Sequence, residues 1–139
     1  MLDFLPGIIE YLNNHNKVSA AWLFGSTATG KAGRNSDIDI AILFIPDLSQ
    51  YERFDLKLLL ALELAPPAGR EVDLVDMEAA PLYLQHQVRK TGRLIVEKDH
   101  SYRDTFDVQS RRAYFDLAPV LELRNRKLVQ RAIGGIENG

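Results

Sequence analysis

Residues 22–44, WLFGSTATGKAGRNSDIDIAILF, set the terms for the rest of the chain. The apolar run from Val18 to Phe24 reads as a buried strand that stops at Gly25-Ser26. After Thr27 to Gly30 comes a basic polar loop holding Lys31, Gly33, Arg34, Asn35 and Ser36, then a second strand from Asp37 to Phe44. Residues two apart on a strand share a face, so Asp37 and Asp39 point one way while Ile38 and Ile40 point into the opposite layer. Adjacent carboxylates repel unless a cation lies between them, and a divalent metal accounts for the pair most simply.

Gly25-Ser26 supplies the complement. A glycine at the exit of a strand lets backbone N–H groups approach an anion closely, the start of a helix favours phosphate, and the Ser26 hydroxyl adds a donor. A phosphate cradle facing a carboxylate pair is what metal-assisted phosphoryl or nucleotidyl transfer requires. The plain alternative is a turn glycine followed by solvent-facing aspartates. The combination of both motifs, each in a strand context that provides a mechanism, favours the site.

Gly25-Ser26, ten intervening residues and Asp37-x-Asp39 resemble the signature of the DNA polymerase β-like nucleotidyltransferase superfamily. The small size and the later Glu71-Val72-Asp73-Leu74-Val75-Asp76 resemble its minimal nucleotidyltransferase (MNT) branch, typically MntA-type antitoxins encoded beside a HEPN-domain RNase toxin. The likeness covers about residues 18–98. It implies that Asp37 and Asp39 bridge two Mg²⁺ ions, that Asp73 completes the set on the acceptor side, and that Gly25 and Ser26 hold the phosphates of ATP. It further implies a tyrosine of the toxin as acceptor of AMP, whose modification inactivates the RNase.

The residues themselves bear on Asp73 too. Arg70 to Asp76 reads as a third strand in which Val72 and Leu74 pin the register. If that strand adjoins the second, Asp73 joins the aspartate pair; Glu71 shares its face and Asp76 does not. The alternative is a surface aspartate among other acidic residues. Lys31 or Arg34 can neutralise a triphosphate, or be simply solvated, and Ser36 can orient the first carboxylate.

The chain has 139 residues, enough for one domain with an adequate core, and its 46% apolar and 26% charged content is that of a soluble globular protein. It contains no cysteine, which removes disulfides and cysteine-zinc sites and fits a reducing cytoplasm. Asp3 and Glu10 near the start do not make a signal peptide, and no apolar run is long enough for a bilayer, so a cytoplasmic location is expected. A net charge of −2 argues against a general nucleic-acid binder, and no direct nucleic acid or membrane partner is expected.

The expected fold is α/β (α+β-like): a single nucleotidyltransferase domain with a mixed sheet of about four strands flanked by helices and a C-terminal helical extension. Apolar positions 2, 5, 8, 9 and 12 predict a first helix ended by Asn13 to Asn16. Ser49-x-x-Glu52 is a capping box opening a second, with Tyr51, Phe54, Leu58, Leu59 and Leu62 expected in the core and Pro66-Pro67 as its stop. Pro81 begins a helix to Lys90, and Arg93 to Val96 forms a fourth strand. Trp22 is expected in the core, and His15, His86 and His100 as ordinary loop or exposed histidines. From Asp99 to about Ile133 the chain reads as helix, in two segments divided at Pro119, with Tyr102, Phe106, Ala113, Leu117, Leu121 and Leu128 on one side. Arg111, Arg112, Arg124, Arg126, Lys127 and Arg131 give it a basic face, solvated or partner-binding, and residues 134–139 a frayed tail. The division is thus a core of 1–98 and an extension of 99–139, docked on the core or on a partner.

With no second domain to form an acceptor pocket, the expected function is transfer of AMP from ATP, with Mg²⁺, to a tyrosine of a cognate HEPN-domain toxin held in a hetero-complex. The alternatives are a non-catalytic binding antitoxin, a small-molecule nucleotidyltransferase of the aminoglycoside kind, and an RNA-modifying enzyme, the last disfavoured by the acidic pI of 5.9.

Overall fold

The structure is a computed structural model that describes residues 3–25 and 37–137, with side chains to residue 134. Among the described residues the order is α1 (Leu5–Asn14), β1 (Val18–Phe24), β2 (Ile38–Phe44), α2 (Gln50–Ala68), β3 (Val72–Asp76), α3 (Leu82–Thr91), β4 (Arg93–Glu97) and α4 (His100–Glu137). The strands form one mixed sheet in the order β3-β2-β1-β4. β1 runs antiparallel to β2 and to β4, and β2 runs parallel to β3.

The sheet has apolar side chains on both faces, as the near-continuous apolar runs of β1 and β2 require. On one face Ala21, Leu23, Ile38, Ile40, Ile42, Phe44, Val72 and Leu74 meet Leu5, Ile8 and Leu12 of α1 and Leu60, Leu64 and Ala68 of α2. On the other, Ala20, Trp22, Ala41 and Leu43 meet Met77 and Val88, with Phe24, Val75, Leu84, Tyr102 and Phe106 around them. Trp22 is buried, as expected.

The capping box of α2 forms as read. Glu52 N–H donates to Ser49 Oγ at 3.1 Å, and Ser49 N–H donates to Glu52 Oε1 at 3.4 Å. The expected core stripe of that helix does not. Tyr51, Phe54, Leu58, Leu59 and Leu62 are all exposed, and the buried positions are Leu60, Leu64 and Ala68, with Leu56 and Ala61 packed beside them. The helix carries two apolar stripes, and 56-60-64-68 at i, i+4 spacing is the one that β3 and α1 accept. Nor do Pro66 and Pro67 stop it. Both lie inside the last turn, and the helix ends at Gly69, whose φ of +70° and N–H bonds to Ala65 and Pro66 carbonyls form a left-handed cap.

Two expectations for α4 also fail. It is continuous through Pro119 and extends to Glu137 rather than fraying after Ile133, since losing one N–H bond in an exposed segment does not oblige a helix to break. Its first part packs through Tyr102, Phe106, Asp107 and Ser110, but every side chain from Glu122 to Ile133 is exposed, Leu128 included. A polar contact joins it to α3: Ser110 Oγ donates to Gln85 Oε1 at 2.5 Å while meeting Arg89, and Gln85 in turn donates to the Met77 and Ala80 carbonyls at 2.8 and 3.0 Å. His86 is not simply exposed either; its ring stacks on Tyr114 with centroids 4.0 Å apart and planes within 5°. His100 is exposed beside Glu97.

Candidate active site

Register assembles the site. In the antiparallel β1–β2 pair Phe24 stands opposite Asp39, and in the parallel β2–β3 pair Asp39 stands opposite Asp73. The three positions therefore lie in one line across adjacent strands, whose chains are about 5 Å apart. Ile38, Ile40, Val72 and Leu74 bury themselves on the face of α1 and α2, which leaves Asp39 and Asp73 on the other. The ladder extends one step beyond the strands, where Ile38 N–H donates to the Glu71 carbonyl at 3.0 Å.

Gly25 follows directly on this line. Its φ is +71°, and a Cβ added there would lie 2.3 Å from Asp39 Oδ2. Glycine is thus required twice, by a backbone conformation L side chains rarely adopt and by the carboxylate that occupies the space a side chain would fill. The turn residue and the aspartate are one unit.

Asp39 is half-buried, and Asp37 and Asp73 are exposed. Burial first, then the negative charges of Asp73 and Asp37, push the Asp39 carboxyl above the usual carboxylate range. Asp39 therefore feels both of the other aspartates. Among the described residues, no three His, Cys, Asp or Glu side chains are drawn close enough to ligate one ion. Hard carboxylate oxygens are nevertheless the donor type that suits Mg²⁺.

Asp37 and Asp73 also line a cleft of about 390 Å³ with Glu71, Val72, Ala61, Leu62 and Ala65. Glu71 and Leu62 were not among the predicted site residues. Glu71 was legible two positions before Asp73 on one strand face, whereas Leu62 was assigned to the core. Asp76 lies on the opposite face, where Arg53 Nε donates to its Oδ2 at 2.8 Å. Arg53 also meets the Leu48 carbonyl and Glu78, to which Tyr102 donates at 3.0 Å; this network ties α2, β3 and α4 together behind the site. Ser26, Lys31, Arg34 and Ser36 lie outside the described residues.

Comparison with known proteins gives the family. A family model described as polymerase beta nucleotidyltransferase matches residues 7–101. The protein adenylyltransferase MntA of Shewanella oneidensis is 40% identical over 87 residues, covering 62% of this chain and 60% of that protein, so the chain spans under two thirds of this relative. A crystal structure described as a toxin–antitoxin with AMP-PNP matches at TM-score 0.71 and 30% identity, over 88% of this chain and 97% of the other. A complex of tri-AMPylated Shewanella oneidensis HEPN toxin with MNT antitoxin matches at TM-score 0.68 and 27% identity, over 93% and 99%. With Asp39 and Asp73 in register across β2 and β3, the glycine that follows β1 against Asp39, and the family model matching residues 7–101, the chain belongs to the polymerase beta nucleotidyltransferase family.

Proposed function

We propose that this chain is an antitoxin that transfers AMP from ATP to a tyrosine hydroxyl of a cognate HEPN-domain RNase toxin and so neutralises it. The observation that carries the reading is the line Gly25–Asp39–Asp73, in a fold shared with an antitoxin in complex with an AMPylated HEPN toxin. Asp37, Asp39 and Asp73 are assigned as the catalytic and Mg²⁺-holding residues, and the raised Asp39 carboxyl supports a bound dication because the negative charges of Asp73 and Asp37 bear on it. Mg²⁺, when bound, supplies Lewis acidity toward the phosphates and the acceptor oxygen.

The chain's own groups do the rest. Gly25, with no side chain, lets the backbone approach the triphosphate, and Ser26, Lys31, Arg34 and Ser36 are assigned to phosphate binding from the motif and loop. The acceptor oxygen attacks the α-phosphorus, forming a new P–O bond, and the bond to the β-phosphate oxygen breaks with release of pyrophosphate. The exposed Asp73 accepts the acceptor's proton.

Residues 1–98 are assigned as the catalytic core and 99–139 as an extension. The polar contact of α4 with α3 and the uncovered side chains of its far half support a role in holding a partner. The uncovered half also favours one second reading, in which the chain masks its partner without catalysis. An Asp37→Ala, Asp39→Ala double variant that still neutralises the toxin in cells would support that one.

Labelled ATP, Mg²⁺ and the HEPN-domain protein encoded beside this chain provide the test. Label should pass to the partner, and Asp39→Asn should lower the rate roughly 100-fold or more without loss of fold. Absence of transfer from the unaltered chain at any partner concentration overturns the proposal. Mg²⁺ should also raise the Tm of the unaltered chain and leave that of Asp39→Asn unmoved, a readout independent of turnover.

A further inference from the structure

The outward face of α2 has no partner among the described residues. Tyr51, Phe54, Leu58, Leu59 and Leu62 are between 47% and 85% exposed. Tyr51, Leu58 and Leu62 fall within a narrow arc at 3.6 residues per turn, and the seam from the first to the last is about 16 Å long. The inward face of the same helix is already covered through Leu60, Leu64 and Ala68. Contiguous exposed apolar surface of this kind marks interaction sites.

The seam leads to the chemistry. Leu62, at its end, shares the cleft of Asp37, Glu71 and Asp73, with Ala61 and Ala65 as its apolar floor. β3, beside α2, is an edge strand of the sheet, so this side of the molecule is open. Acidic groups stand on both flanks: Glu52, Asp55 and Glu63 on one side of the seam, and Asp37, Glu71 and Asp73 across the cleft beside Ala61 and Ala65 on the other, while Lys57 is drawn over the Phe54 ring at 5.5 Å.

We infer that this face of α2 is the docking surface for the acceptor protein, a partner with an apolar centre and a basic rim, seated so that its acceptor hydroxyl reaches the cleft of Asp37 and Asp73. The inference rests on the nucleotidyl-transfer reading for the identity of the partner. Charge decides against a second copy as occupant, because a two-fold interface would lay the acidic flanks against each other. A basic-rimmed partner meets them favourably and steers its own hydroxyl toward the carboxylates.

The test uses the full chain carrying Tyr51→Lys and Leu58→Lys, both at exposed positions away from the cleft, with the HEPN-domain protein encoded beside it as probe. Tyr83→Lys on α3, also exposed, is the control. Affinity for the probe should fall about tenfold or more in the double variant, and the apparent KM for the probe should rise equally, while kcat at saturating probe, ATP affinity and the control variant stay near the unaltered values. Leu58→Ser, which adds no charge, should weaken binding in the same direction and guards against misfolding of the lysine variant. Unchanged affinity and KM in both variants overturn the inference, as does a lack of probe binding by the unaltered chain or a face that serves only self-association. Probe binding without transfer defeats the catalytic proposal and leaves this surface standing, whereas undiminished transfer by the variants at subsaturating probe does the reverse.

Discussion

At Gly25 two requirements coincide, the left-handed backbone and the Asp39 carboxylate in the space a Cβ would take. Gly25→Ala should destabilise the protein by about 1–2 kcal/mol through the backbone alone, and by more through displacement of Asp39. Denaturant titration would measure the loss. Asp39→Asn should do the opposite, raising the Tm at neutral pH without metal, because the ionised carboxyl is penalised by burial and by Asp73 and Asp37. His15 offers a pH test away from the site. Burial, then the charges of Lys98 and Lys17, hold its imidazole below the ordinary 6.5, and Nδ1 accepts the Lys17 N–H at 3.2 Å, which requires that nitrogen unprotonated. The unfolded chain binds this proton more readily, so its contribution is intact above pH 6.5 and is lost as pH falls through that value toward the folded pKa. A stability profile from pH 7.5 to 5 should show the decline, and His15→Gln should flatten it.

Among the elements, α2 shows most clearly where sequence pattern reaches its limit. Its start was legible because a capping box is a local event: Ser49 and Glu52 satisfy each other's N–H groups whatever lies beyond. Ser49→Ala should lower stability by about 1 kcal/mol, seen as a lower denaturant midpoint with an unchanged slope. Its inward face was not legible. Two leucine stripes share the helix, and β3 and α1 bury one and leave the other to solvent. The same applies to its end, where two prolines suggest a stop but the left-handed Gly69 provides it.

The molecule as a whole is a three-layer core with a long helix that leaves it part-way. Tyr102, Phe106 and Ser110 join α4 to the core, and from Glu122 to Ile133 no side chain is covered. Removing residues 122–139 should therefore change core stability by less than about 1 kcal/mol, measured by thermal or denaturant unfolding. Amide exchange in that half of α4 should outpace exchange in β1 and β2, which lack its access to solvent.

Alternation of side chains along a strand is set by backbone geometry, so the placing of Asp39 on the face opposite the buried Ile38 and Ile40 followed from residue order alone, as did the burial of Trp22. The glycine before the turn and the capping box were equally local and equally readable. Which strand lies beside which depends on contacts between residues far apart in the chain. Only the folded sheet decided that β3 runs parallel to β2 with Asp73 opposite Asp39, that Asp39 fills the place of a Gly25 side chain, and that the second stripe of α2 stays bare beside the cleft.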